Sequence, residues 1–145
     1  MENLSFPDKS FDMVVSAGAL SYGDNDLVRD EIFRVLKYNG KFICLDSLNH
    51  NPIYKINRYI HVIFGRRTKS TLERMPTLQL IDSYKQVFGV SETKFFGSIV
   101  WLSPLLEKIC RPKNWLFINY WVDEKLKFKK PSFKFTMVVT KIRYR

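Results

Sequence analysis

Cysteine is scarce in this sequence, and its two examples stand far apart. Cys44 sits inside an apolar run and Cys110 follows much later in the chain. Neither has neighbours spaced like zinc ligands, so the pattern argues against a zinc site or a disulfide framework. We interpret Cys44 as a small buried apolar residue. Histidine is equally rare, with His50 and His61 its only occurrences.

Long apolar runs are also absent. No stretch approaches the roughly 20 apolar residues that a membrane-spanning helix needs. The opening residues, Met1 to Leu4, carry an acid where a secretory signal carries basic residues. The length of 145 residues fits one domain, and a hydrophobic fraction of 46% is sufficient for a packed core. We therefore expect a globular, cytoplasmic protein.

Acidic residues are few beyond the first third of the chain. Residues 1–50 hold 5 basic and 8 acidic side chains, whereas residues 51–145 hold 19 basic and 6 acidic ones. This asymmetry favours an anionic partner, which could be a phosphorylated substrate, a membrane surface or a nucleic acid. A solvated basic surface without such a partner is the alternative.

The first 47 residues carry the pattern of a strand, a helix and a second strand. Residues 11–16 form a continuous apolar run, which predicts a strand buried on both faces. Acidic residues 24–26 can begin a helix, apolar residues spaced over 28–36 give it one apolar stripe, and Asn39-Gly40 can end it. Residues 41–47 form a second apolar run. Short connections predict a βαβ unit with parallel strands.

Residues 48–76 interrupt this pattern as a basic helical insert. Asn51-Pro52 begins a helix, Gly65 ends it, and Thr68 to Met75 is a polar basic loop. We expect one face of the helix to hold Ile53, Ile56, Ile60, Ile63 and Phe64. The cations outside that face are Lys55, Arg58, Arg66 and Arg67. Three interpretations stay open: a lid packed on a ligand cleft, an ordinary core helix, or a membrane-surface helix.

Residues 77–145 are predicted to complete the domain with helices and strands. Thr77 can cap a helix that continues to Phe88. The remaining expectations are a strand over Thr93–Val100, a short helix over Leu102–Cys110, an aromatic segment of undecided class over Trp115–Val122, and a strand over Phe133–Ile142.

Two segments carry a family resemblance. Residues 4–16, Leu-Ser-Phe-Pro-Asp-Lys-Ser-Phe-Asp-Met-Val-Val-Ser, resemble the motif that leads into the fourth strand of class I S-adenosylmethionine-dependent methyltransferases with a methyltransferase type 11 domain. Residues 31–42, Glu-Ile-Phe-Arg-Val-Leu-Lys-Tyr-Asn-Gly-Lys-Phe, resemble the segment that enters the fifth strand. The two occur in the family's order and at its separation.

This resemblance implies an α/β fold with part of a Rossmann-like sheet. The family's strand order is 3-2-1-4-5-7-6, with strand 7 antiparallel to the others. We expect this chain to supply strands 4-5-7-6, flanking helices and a helical lid insert, as one partial domain. The edge of strand 4 would then be unpaired, which favours self-association or pairing with an amino-terminal half.

The resemblance also implies S-adenosylmethionine as cofactor. The family's Gly-x-Gly loop and its ribose-binding acid have no counterpart here, since the six glycines are all isolated. We therefore expect weak or absent cofactor binding by this chain alone. The segment that flanks the cofactor by resemblance comprises Ser16, Ala17, Gly18, Ala19 and Leu20. Small residues that only permit a tight turn are the alternative explanation.

Candidate catalytic and substrate-binding residues follow from the strand ends and the insert. His50 follows the second strand and is the candidate general base, because histidine exchanges protons near neutral pH. Tyr22, Arg58 and His61 are candidates for binding the acceptor. Asp46 is a weaker catalytic candidate that could instead hydrogen-bond a loop.

The function predicted from the sequence is methyl transfer to a small-molecule or anionic glycan-precursor acceptor. A catalytically inactive remnant, or a basic interaction module without cofactor binding, is the alternative. Aromatic residues beside lysines after residue 100 could stack nucleic-acid bases, but such residues more often line a core or cleft. Peripheral membrane contact stays open through the basic insert.

Overall fold

The computed structural model describes residues 1–102, 105, 112–126 and 129–143. Its strands are β1 (Phe11–Ala17), β2 (Leu36–Ser47), β3 (Gly89–Phe96) and β4 (Lys134–Lys141). Its α-helices are α1 (Asn25–Val35), α2 (Pro52–Ile63), α3 (Lys69–Glu73), α4 (Leu78–Phe88) and α5 (Pro112–Leu126). Short 3₁₀ turns cover Leu20–Tyr22 and Val100–Leu102.

The four strands form one mixed sheet in the order β1-β2-β4-β3. Strands β1 and β2 are parallel, while β4 runs antiparallel to both β2 and β3. The carboxyl ends of β1, β2 and β3 therefore meet at the same edge of the sheet. This order and the single antiparallel strand confirm the predicted 4-5-7-6 arrangement.

Local sequence explains how the βαβ unit forms. The Asp24 carboxylate accepts hydrogen bonds from the Asp26 and Leu27 amides and so caps α1. The end of the helix differs from the prediction, because α1 stops at Val35 and β2 already begins at Leu36. Asn39 has the predicted positive φ of 63°, but it lies in the irregular start of β2 rather than at a helix end.

The hydrophobic core lies on one face of the sheet, beneath α1 and α4. Phe42 of β2 and Phe135 of β4 are fully buried there against Val28 and Ile32 of α1. Burial of these side chains supplies the main favourable free energy of folding. On the same face the Lys141 ammonium donates to the main-chain oxygens of Phe33 and Leu36, which closes the carboxyl end of α1.

The prediction that β1 is buried on both faces is wrong for this structure. Met13 and Val15 point away from α1 and α4 and are 54% and 65% exposed, and Leu45 of β2 lies on the same face. None of the described helices covers this part of the sheet, since α5 reaches only the neighbourhood of β3. An apolar surface is left open beside the unpaired edge of β1.

Helix α2 leaves its apolar face exposed. Its isoleucines and Phe64 are all exposed, whereas Tyr54 and Arg58 are its buried side chains. Polar contacts orient the helix: the Asn51 amide donates to the Pro131 main-chain oxygen, and Arg58 donates to that of Leu48. The exposed isoleucines contradict the core-helix interpretation, whereas the lid and membrane-surface interpretations stay predictions.

Other boundaries also differ from the sequence expectations. The polar loop after Thr68 contains the short helix α3, and β3 begins at Gly89 rather than Thr93. The aromatic segment 115–122 is helical, within α5. The helix expected over Leu102–Cys110 falls almost wholly outside the described residues. Within the described ranges, no helix is long and apolar enough to cross a membrane.

Candidate functional site

The loop after β1 places small residues at the carboxyl edge of the sheet. Gly18 has a φ of 65°, a conformation that side-chain-bearing residues rarely adopt, and its amide donates to the Leu45 main-chain oxygen. Ala17 and Gly18 are exposed, whereas the side chains of Ser16 and Leu20 are buried. A ligand at this edge can therefore meet the exposed backbone of Ala17 and Gly18.

Asp46, near the end of β2, holds this loop in place. Its buried carboxylate accepts hydrogen bonds from the amides of Leu20 and Ser47, at 3.1 and 2.6 Å. A carboxylate satisfied by backbone amides is a structural anchor. Asp46 is thus a positioning residue for the Ser16–Leu20 segment, as one of the two sequence interpretations proposed.

The insert folds back over the same edge of the sheet. Helix α3 packs beside the Leu20–Tyr22 turn, and the Asn25 side-chain amide donates to the Arg74 main-chain oxygen at 2.8 Å. The Asn49 amide donates to the Pro76 main-chain oxygen at 2.8 Å. These contacts tie both ends of the insert to the segments that follow β1 and β2.

Arg58 is the charged side chain that the insert buries. Only 5% of it is exposed, and its guanidinium lies near the rings of Tyr54 and Phe133, 5.9 and 5.4 Å from their centroids. Its Nη1 donates to the Leu48 main-chain oxygen and to Asn49 Oδ1, at 3.0 and 3.2 Å. Burial, followed by the charge of Arg67, lowers the pKa of Arg58 to about 10.

The structure brings two of the predicted site residues together. Arg58 and His61 line one cavity of about 370 Å³ at the carboxyl end of β2. Tyr22 is 74% exposed and does not line that cavity. His50 is half-buried three residues after the end of β2 at Ser47 and two residues before the start of α2 at Pro52.

Sequence reasoning missed two structural features near this edge. The rings of Tyr54 and Phe133 enclose the Arg58 guanidinium. The four-residue spacing of Tyr54 and Arg58 in α2 was the only sequence signal for this arrangement. Asp123 of α5 accepts hydrogen bonds from the amides of Gly97 and Ser98 after β3. No local signal reveals this second contact, because it joins segments far apart in the chain.

The described part of the chain contains no group of three His, Cys, Asp or Glu side chains arranged to hold a metal ion.

The chain is similar to methyltransferases in sequence over its first third and in fold over most of its length. Residues 1–44 match the methyltransferase type 11 family, described as a methyltransferase domain. A methyltransferase structure from Archaeoglobus fulgidus, described as SAM-dependent, superposes with a TM-score of 0.57 at 14% identity, covering 94% of this chain and 62% of that one. The matched residues include both motifs of the sequence analysis, and the described residues share the fold of this solved structure.

Among curated proteins, the chain is similar to a demethylmenaquinone methyltransferase of Anoxybacillus flavithermus. The two are 32% identical over 97 residues, which is 62% of this chain and 40% of that protein. A similar protein from Geobacillus has 32% identity over 84 residues, 53% of this chain and 36% of that protein. The chain thus spans about two fifths of the length of the curated relatives that it matches.

Proposed function

We propose that this chain forms the acceptor side of a methyltransferase that moves a methyl group from S-adenosylmethionine to a small-molecule or glycan-precursor acceptor. The observation that carries the proposal is the exposed Ala17-Gly18 backbone at the carboxyl end of β1, anchored by Asp46 and overlaid by the insert. Ligands of open α/β sheets bind at this edge.

Each part of the site has a role in this proposal. The cofactor, when bound, supplies a methyl carbon on a positively charged sulfur. The Ala17-Gly18 backbone lies against the cofactor, and Asp46 keeps the loop from moving away. The insert packs beside this edge through α3 and the contact between Asn25 and Arg74. His50, half-buried at the end of β2, accepts the proton of an acceptor hydroxyl.

Two acceptor classes compete within this function. The curated relatives are named for demethylmenaquinone, and their 32% identity supports an acceptor of that kind. The arginine-lined cavity beside β2 supports an anionic acceptor instead. The cavity is a feature of this chain's own residues, so we favour the anionic class.

Cofactor binding tests the proposal. Backbone amide resonances of the full chain are followed by NMR during titration with S-adenosylhomocysteine, a method that detects even millimolar binding. We expect the largest shifts at Ala17, Gly18 and Ala19, with weak affinity because no Gly-x-Gly segment is present. Gly18→Ala should weaken binding, since alanine at a φ of 65° costs about 1–2 kcal/mol and displaces the loop.

Gly65→Ala provides the matched control. Gly65 has a φ of 66°, and neither glycine has an atom within 4 Å of an added Cβ. The two substitutions therefore impose the same backbone strain, but only Gly18 lies in the loop after β1. If S-adenosylhomocysteine shifts no amide of that loop up to about 5 mM, or if both variants lose affinity equally, the proposal is wrong. An inactive remnant or a basic interaction module would then be the better description.

A further inference from the structure

The cavity beside Arg58 is lined by positive charge. Three arginines face it, and no carboxylate is among the described residues that form its wall. At about 370 Å³ it falls within the size range of small-molecule sites. The lining residues are Tyr54, Asn57, Arg58, His61, Arg66, Arg67 and Phe133.

Arg58, one of the lining residues, has an unused donor. Its Nη1 is occupied by the Leu48 oxygen and Asn49 Oδ1, but Nη2 is buried and has no hydrogen-bond partner among the described residues. A buried polar group without a partner costs free energy, and a buried charge costs more. The Tyr54 and Phe133 rings hold the guanidinium in one orientation. The group is therefore preorganised to donate to a ligand.

The neighbouring cations are not neutralised within the protein. Arg58, Arg66 and Arg67 form no salt bridge with any described carboxylate. Asp46 is a carboxylate whose charge acts on Arg58, and it is held by two backbone amides. Arg67 lowers the pKa of Arg58, so the charges repel one another across the cavity. An anion would relieve this repulsion.

We propose that this cavity binds a phosphate group, as a phosphate monoester or a diphosphate. The positive charge of three guanidinium groups is more than one carboxylate can neutralise. A phosphate carries up to two negative charges and several acceptor oxygens. Guanidinium forks match phosphate oxygens in geometry. Nη2 of Arg58 supplies the buried contact, and the exposed side chains of Arg66 and Arg67 close on the anion from the solvent side.

At this location, the phosphate group would anchor the methyl acceptor. Arg58 is bonded to the first residues after β2, and the cofactor loop follows the adjacent strand β1. Both segments follow carboxyl ends of parallel strands at the same edge of the sheet, so an acceptor held by its phosphate can extend towards the Ser16–Leu20 segment. This role rests on the proposed methyl transfer, whereas the anion site itself does not.

The phosphate could belong to a soluble ester or to a lipid headgroup. The exposed isoleucines of α2 lie on the same helix as Arg58, and such a helix can rest on a membrane surface. The chemistry at the cavity is the same in both cases, and binding measurements with different probes separate them.

Calorimetric titration of the full chain with inorganic phosphate and with pyrophosphate tests the site, without any cofactor present. We expect saturable binding that is tighter for pyrophosphate. Arg67→Gln should weaken it by about tenfold or more, because a hydrogen bond to a charged group contributes about one to two decades of affinity. Arg67 is exposed, so its substitution should leave the fold intact. Arg58→Lys should weaken binding further, because an ammonium group cannot make the same fork of contacts.

Lys55→Gln is the matched control, because Lys55 is an exposed cation of α2 that does not line the cavity. It should leave pyrophosphate affinity within about twofold of the wild-type value. No saturation by about 10 mM, or equal losses in Arg67→Gln and Lys55→Gln, overturns the proposal. Failure of S-adenosylhomocysteine binding with intact pyrophosphate binding would refute the methyltransferase role but keep the anion site.

Sedimentation with vesicles identifies the source of the phosphate. Vesicles of phosphatidic acid and neutral lipid are compared with vesicles that carry the same charge on phosphatidylserine. Binding to phosphatidic acid alone, abolished by Arg67→Gln, supports the site with a lipid headgroup as ligand. Pyrophosphate binding without vesicle binding supports it with a soluble ester. Equal binding to both vesicles, unchanged by Arg67→Gln and without pyrophosphate binding, contradicts it.

Discussion

Tyr84 is a fully buried residue whose ring and hydroxyl have opposite effects on stability. The ring is stacked between Phe42 and Phe88, with centroid distances of 5.5 and 5.7 Å. The hydroxyl is buried and has no hydrogen-bond partner among the described residues. Burial raises the pKa of Tyr84, so the phenol stays neutral. The ring therefore contributes favourable packing, while the hydroxyl adds an uncompensated desolvation cost.

We expect Tyr84→Phe to stabilise the protein by about 1 kcal/mol, because it removes the unpaired hydroxyl and keeps the ring. Tyr54→Phe is the comparison, since the Tyr54 hydroxyl donates to the Gly97 main-chain oxygen at 3.4 Å. That variant should lose about 0.5–1 kcal/mol. Urea denaturation measures both changes. A clear loss of stability in Tyr84→Phe would show that its hydroxyl has a partner after all.

At the scale of secondary-structure elements, one carboxylate links α5 to the turn after β3. Asp123 is buried and accepts from the Gly97 amide, the Ser98 amide and the Ser98 hydroxyl. In the same turn, the Gly97 main-chain oxygen accepts a hydrogen bond from the Tyr54 hydroxyl of α2. Asp123 therefore joins a long helix to the sheet edge where the insert also attaches.

Replacing Asp123 should weaken this junction. We expect Asp123→Ala to destabilise the protein by about 2–4 kcal/mol, because two buried backbone amides lose their acceptor. Asp123→Asn should lose about half as much, since its side-chain oxygen can accept from one amide. Glu124→Ala is the matched control, because Glu124 is exposed on the same helix. Equal effects of Asp123→Ala and Glu124→Ala in thermal unfolding would contradict this assignment.

At the scale of the whole molecule, two apolar surfaces besides the isoleucine face of α2 lack partners within the described residues. The first is the open sheet face around Met13, Val15 and Leu45, which adjoins the unpaired edge of β1. The second is the exposed apolar side of α5 around Leu116 and Phe117. Apolar surface next to an open strand edge favours association of chains.

We expect this chain to self-associate in a concentration-dependent manner in analytical ultracentrifugation. The double substitution Met13→Lys and Val15→Lys should shift it towards monomer, because two cations on the open face oppose both burial and edge pairing. Leu27→Lys is the control: Leu27 is equally exposed, but it lies on α1 away from that face. Association that Leu27→Lys reduces as much as the double substitution would exclude the open face as its cause.

The sequence by itself determined the elements whose signals are local. The cap at Asp24, the helix stripe of α1 and the two apolar runs predicted the βαβ unit, because each depends on residues near one another in the chain. Thr77 likewise caps α4 through its hydroxyl, as predicted. The methyltransferase motifs lie in the same stretch, which is why the family and the sheet order could be predicted together.

Tertiary structure decided which surfaces are buried. The apolar stripe on α2 left core, lid and membrane-surface interpretations open, and hydrogen bonds from Asn51 and Arg58 to distant loops turned the other face inward. The cavity around Arg58 depends on Phe133, far along the chain, so no sequence pattern reveals it. The exposure of Val15 depends on what covers the sheet, and an apolar run alone does not specify its cover. Local propensity selects an element, whereas long-range contacts select the face that it buries.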